Sequence, residues 1–85
     1  MDENTEADRF FEELLHAVDQ QLEAPGTAYV RKTLDRLTRA GMEADEAREA
    51  IARCLAEATD RMYRSQRPFN EDAYRTSLEM INPGE

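Results

Sequence analysis

The stretch D45-EAREAIARCLA-E57 decides the fold. Ala47, Ala50, Ile51, Cys54 and Leu55, continued by Ala58 and Met62, recur at three- and four-residue intervals, while Glu49, Arg53, Glu57 and Arg61 follow one another every four residues. One face of a 3.6-residue repeat is therefore apolar and another is laced with alternating charge, the pattern of an amphipathic helix against a core. Negative charge at Glu43, Asp45 and Glu46 favours the amide end of such a helix, and Met42 is placed to staple onto Ala47. A central helix over 43–65 follows, with Ala47, Ala50, Ile51, Cys54, Leu55 and Ala58 inside.

Working outward, Phe10, Phe11, Leu14, Leu15, Val18 and Leu22 repeat the helical spacing, and the pattern stops at Ala24-Pro25-Gly26. Thr5-Glu6-Ala7-Asp8 has the form of a capping box, so the first helix is expected over 6–23. Val30, Leu34 and Leu37 mark a shorter helix over 27–40, ended by Arg39-Ala40-Gly41 with glycine in the left-handed cap. Beyond Ser65-Gln66-Arg67-Pro68, Phe69-Asn70-Glu71-Asp72 restarts the chain with an asparagine cap and a Phe69 to Tyr74 staple. Tyr74, Leu78 and Ile81 give the last helix, 71–81, closed by Asn82-Pro83-Gly84. No segment alternates with period two. The expected fold is all-α, a compact bundle of four helices, two long and two short, in a single domain over 1–85. Its expected core is Phe10, Leu14, Val18, Leu34, Leu37, Ile51, Leu55, Tyr74 and Leu78.

Composition narrows the function classes. A chain of 85 residues holds one small core, worth roughly 3–5 kcal/mol without a staple. Nineteen acids against eleven bases give a net charge of -8 at pH 7, which opposes attraction to nucleic-acid backbones and anionic membranes. The single cysteine rules out an internal disulfide, and with one histidine it cannot complete a usual structural zinc set. The acidic start MDENTEADR has no apolar signal region, and no run approaches the roughly 18 apolar residues of a membrane span. A cytoplasmic protein with no cofactor, no nucleic-acid partner and no membrane partner is the expectation.

Several residues invite a chemical reading. Glu13 and His16 have the Glu-x-x-His spacing of carboxylate-bridged metal bundles, but at about 100° per residue His16 falls on the polar side of its helix, and no second histidine exists. Asp45 and Glu49 lie one turn apart and could share a hard cation, although acids are favoured there by the helix dipole alone. Cys54 lies mid-helix in line with Ile51, Leu55 and Ala58, the setting of a small buried hydrophobe rather than an activated thiolate. Arg31, Lys32, Arg36 and Arg39, with Tyr29 at the helix start, make the second helix a docking face for an acidic partner or a face neutralised by its acidic neighbours. The glycines are scattered as breakers, so no phosphate loop exists, and Ser65 and Ser77 have no oriented triad.

The runs AVDQQL, RLTRAGMEADEAREAIARCLAE and RPFNEDAY together resemble a family of small uncharacterised bacterial all-helical proteins, a domain of unknown function. The resemblance extends from the first helix to the fourth and is carried by Gln21, Arg36-Leu37, Gly41, Glu46-Ala47, Ala50-Ile51 and the Phe69/Tyr74 restart. In some sequences of this kind a His-Glu-Ala-x-His-Ala-Ile pattern sets two imidazoles one turn apart. Here those places hold Asp45 and Glu49, which exchanges transition-metal ligands for carboxylates.

With no complete catalytic constellation, the sequence points first to a non-catalytic interaction or accessory module that pairs with itself or another protein. The wide apolar arc from Phe10 round to Leu15 exceeds what three neighbouring helices would cover. Two alternatives stand beside this reading. One is a metal-binding helical protein using Asp45, Glu49 and His16. The other is a regulatory binder of an acidic partner through Tyr29, Arg31, Arg36 and Arg39.

Overall fold

A computed structural model describes residues 3–83, with side chains from Asp8 onward. Four α-helices follow one another: α1, Glu3–Glu23; α2, Ala28–Arg39; α3, Ala44–Ser65; and α4, Glu71–Glu79. A single 3-10 turn, Pro25–Thr27, joins α1 to α2. No strand occurs among the described residues, and the fold is the all-α bundle that the periodicity predicts. The helix α1 begins at Glu3, so Thr5 lies within it rather than ahead of it. The capping-box side chains expected at Thr5 to Asp8 lie largely outside the described residues, as does Gly84.

The helix ends are built as the sequence spells them. Gly41, at φ 108°, closes α2: its N–H donates to the Thr38 carbonyl at 3.1 Å, and the Met42 N–H donates to the Leu37 carbonyl at 3.1 Å. That pair of bonds is a Schellman cap, which only a residue tolerant of positive φ closes without strain. At α3, the Glu43 N–H donates to the Glu46 carboxylate at 3.4 Å. At α4, the Asn70 side chain accepts from the Ala73 N–H at 3.0 Å, and Phe69 meets Tyr74 edge to face with ring centroids 5.6 Å apart. Thr27 does not cap α2. Its hydroxyl donates backward to the Gln21 carbonyl at 2.8 Å and so ties down the C-terminus of α1.

The helices α1, α2 and α3 each pack against the other two, whereas α4 packs on α2 and α3 only and has no backbone-level contact with α1. The core comprises Leu14, Val18, Val30, Leu37, Ala47, Ile51, Ala52, Leu55, Ala58, Tyr74 and Leu78. Tyr74 is its largest fully buried side chain, and its hydroxyl crosses the interior to donate to Gln21 Oε1 at 2.7 Å. This bond links α4 to a helix with which it has no backbone-level contact.

Two core assignments need correction. Phe10 is 51% exposed: it stands at the edge of the α1 arc, one turn before Leu14, the first buried residue among the described side chains. On α3 the buried arc is rotated by roughly 60° from the expected stripe, toward Ala52, so that Ala50 and Cys54 fall to its half-buried margin. The cause is α1, which packs on that side and is tied there by Arg48, whose Nε and Nη2 donate to the two Asp19 carboxylate oxygens at 2.9 and 3.0 Å. Alanine at position 52 suits a place where two helices approach closely. Leu34 is half-buried and packs against the core.

Two stability predictions follow from these observations. Removing the Tyr74 hydroxyl in Tyr74→Phe leaves the Gln21 amide oxygen without its donor, and urea unfolding is expected to show a loss of about 1–2 kcal/mol at unchanged slope. Gln66, at φ 56°, is the described non-glycine residue with positive φ and follows directly on α3. Gln66→Gly relieves that strain and is expected to stabilise the fold by about 0.5–1 kcal/mol, read as a raised Tm.

Candidate functional site

Two concave regions flank α4. The first lies between α2 and α4 and encloses about 430 Å³. Tyr29, Lys32 and Arg36, at i, i+3 and i+7, share one face of α2, and Arg75 and Glu79, at i and i+4, project from α4 toward them. The Tyr29 hydroxyl donates to Glu71 Oε2 at 2.8 Å, and the Arg75 guanidinium carbon sits 4.8 Å from the Tyr29 ring centroid, a cation–π contact. Tyr29 also meets Tyr74 edge to face at 6.1 Å. Arg36 Nη2 donates to the Leu78 carbonyl at 2.9 Å and Nη1 to the Ile81 carbonyl at 3.3 Å. An arginine of α2 thereby satisfies carbonyls at the end of α4, where a cation is favoured by the helix dipole.

The second concavity, of about 880 Å³, is the corner where α3 turns into α4. Ala58, Met62, Phe69 and Ala73 supply its apolar part, with Arg61 and Arg67 on the side of α3 and Glu71 and Asp72 at the start of α4. Phe69 is 36% exposed there, although it also staples Tyr74.

The other residues singled out in the sequence fall as follows. His16 is exposed on α1, and Asp45 and Glu49 are exposed on the first turns of α3. These three do not converge: among the described residues no group of three His, Cys, Asp or Glu side chains is placed to hold a metal ion. Asp45 instead has Arg48 Nη1 at 3.7 Å. Cys54 is half-buried, and its thiol is pushed above its ordinary pKa by burial and then by the nearby Glu57, with Arg53 pulling weakly the other way. That is the reverse of what activates a nucleophile. Arg31 and Arg39 are exposed and lie outside the α2–α4 concavity, whereas Tyr29 and Arg36 line it.

Glu71 and Arg75 are the partners that sequence reasoning missed. They lie more than forty residues from Tyr29, and only the helical wheel of α4, which sets Glu71, Arg75 and Glu79 on one face at four-residue steps, carried a signal for them.

The tyrosines give this region an alkaline signature. Burial, and then the hydrogen bond and charge of Glu71, push the Tyr29 phenol up to about 12, with Arg75 opposing weakly. Burial likewise drives Tyr74 far above its ordinary value, with Tyr29 and Cys54 adding to it. A phenol whose folded pKa exceeds its unfolded value of 10.0 favours the native state fully below that pH. The contribution is lost as pH rises toward the folded value, because the unfolded chain ionises first. Unfolding free energy is therefore expected to be flat up to about pH 10 and to fall above it. Tyrosinate absorbance from Tyr29 and Tyr74 should appear together with the loss of helical circular dichroism, and Tyr29→Phe should flatten the fall.

Compared with models of protein families, with curated proteins and with solved structures, the chain finds no significant match.

Proposed function

We propose that this chain is a non-catalytic interaction module that pairs with a second copy of itself through the corner between α3 and α4. The observation that carries the reading is the anatomy of that corner: an apolar centre of Ala58, Met62, Phe69 and Ala73 within a charged rim, the arrangement of a protein–protein interface. The rim is also self-complementary. A two-fold pairing sets residue i on j and j on i, which brings the arginines at 61 and 67 of one copy against the acids at 71 and 72 of the other. The helical family that the sequence resembles belongs to the same proposal and supplies no reaction.

The polar groups most suited to chemistry are occupied in holding the helices together, which supports a binding role over a catalytic one. Arg48 joins α3 to α1, Arg36 joins α2 to α4, and the hydroxyls of Tyr29 and Tyr74 are both engaged. No described helix is long and apolar enough to cross a membrane.

Sedimentation of the full chain across a wide concentration range tests the reading, with native mass spectrometry of the same untagged protein. A reversible dimer is expected, weakened at least tenfold by Met62→Glu, which sets a charge in the apolar centre of the corner. Protein that stays monomeric at every concentration overturns the pairing. A stoichiometric divalent metal in the native spectrum overturns the non-catalytic reading and makes Asp45, Glu49 and His16 the residues to replace.

A further inference from the structure

The α2–α4 concavity carries a charge opposite to that of the chain. Within a molecule of net charge -8, Lys32, Arg36 and Arg75 line one pocket, with Glu79 as the only carboxylate among its described lining residues. None of the three cations is ion-paired to a carboxylate among the described residues, although acids outnumber bases in the chain nineteen to eleven. Here three cations share one recess with a single described carboxylate, and the balance inside it is positive.

Two of the cations are also held in place. Arg36 is oriented by the Leu78 and Ile81 carbonyls, which use one N–H from each terminal nitrogen; no other acceptor among the described residues takes the remaining guanidinium donors. Arg75 is held over the Tyr29 ring, whose own position is fixed by Glu71 and by the edge of Tyr74. Lys32 has no such restraint and can follow a ligand as a mobile point charge. Two fixed guanidinium planes and one flexible ammonium form a chelating set for a compact oxyanion, since arginine meets phosphate with paired N–H donors.

We infer that the recess between α2 and α4 is a binding site for a phosphate monoester, with Arg36 and Arg75 as the fixed donors and Lys32 closing over the ligand. The charge balance favours an anion: three cations outnumber the Glu79 carboxylate of the lining, with Glu71 behind Tyr29 offsetting part of the excess, and a phosphate monoester carries about two negative charges near neutral pH. An extended polyanion fits poorly, because three contacts cannot offset repulsion from the rest of an acidic surface. The monoester belongs either to a free small molecule or to a phosphorylated side chain of a protein, and the two present the same group to the recess. This inference stands independently of pairing through the α3–α4 corner, which uses none of these three cations.

The experiment is a two-dimensional amide NMR titration of the full chain with three probes: inorganic phosphate, a short phosphoserine peptide, and the same peptide unphosphorylated. Inorganic phosphate is expected to give saturable shifts at residues 26–36 and 75–79, and the unphosphorylated peptide none. Lys32→Gln and Arg75→Gln, both exposed positions whose unchanged circular dichroism would verify folding, should each weaken binding by roughly fivefold, and the double variant should abolish it. Arg36 is left intact because it also closes α4. A phosphopeptide that binds at least tenfold more tightly than inorganic phosphate assigns the ligand to a partner protein; equal affinities assign it to a free phosphorylated molecule. Shifts that never saturate, that centre on Arg31 and Arg39, or that persist unchanged in the double variant would overturn the inference and leave only diffuse counter-ion attraction.

Discussion

A phenol taken fully out of water must bring its hydroxyl to a partner, and in this bundle that requirement falls on Tyr74. Its ring fills the space where α2, α3 and α4 meet, its edge contacts are Tyr29 and Phe69, and its hydroxyl reaches Gln21 on the far helix. The placement of α4 depends on that reach. Without backbone contact to α1, the short last helix has the Tyr74 side chain hydrogen-bonded to the first, and the Asn70 cap and Phe69 staple set the angle at which that side chain enters. Arg36 then fixes the other end of α4 by taking its last carbonyls. A nine-residue helix, too short to persist alone, is thus held at its start, middle and end by side chains from elsewhere in the chain.

Much of this was legible in the residues because local chemistry specified it. The glycine cap at 41, the asparagine cap at 70, the Phe69 to Tyr74 staple and the helical period of α3 are short-range patterns, and short-range patterns survive folding. What was not legible depended on which helix lies against which. Phe10 reads as core from its spacing, yet the wheel of α1 cannot say which side of it meets partners; Phe11 and Leu14 pack inward while Phe10 is left at the edge. Ala52 reads as the flank of α3 until Arg48 is seen clasping Asp19, which shows that α1 packs on that flank.

The charged residues show the same division more sharply. Taken alone, α2 presents a row of cations on a helix. The fold separates them into two kinds: Lys32 and Arg36 turn into a recess completed by Arg75, while Arg31 and Arg39 stay outside it. Neither Arg75 nor Glu71 could be joined to Tyr29 by spacing, since their contact is created by α4 folding back across α2. Asp45 and Glu49 follow the opposite course. Their one-turn spacing is real, but exposure and the nearby Arg48 give them the setting of ordinary residues at the start of a helix.

Both concave regions have α4 as a wall, and Glu71 stands between them, accepting from Tyr29 on one side and forming part of the α3–α4 rim on the other. The docked position of α4 is therefore a shared state variable for two separate surfaces. Any occupant that binds only the docked helix stabilises it by mass action, and the other surface gains affinity to the extent that the undocked state is populated without it. By that reciprocity, a helix of nine residues can make two sites on an 85-residue chain thermodynamically aware of each other with no further moving part.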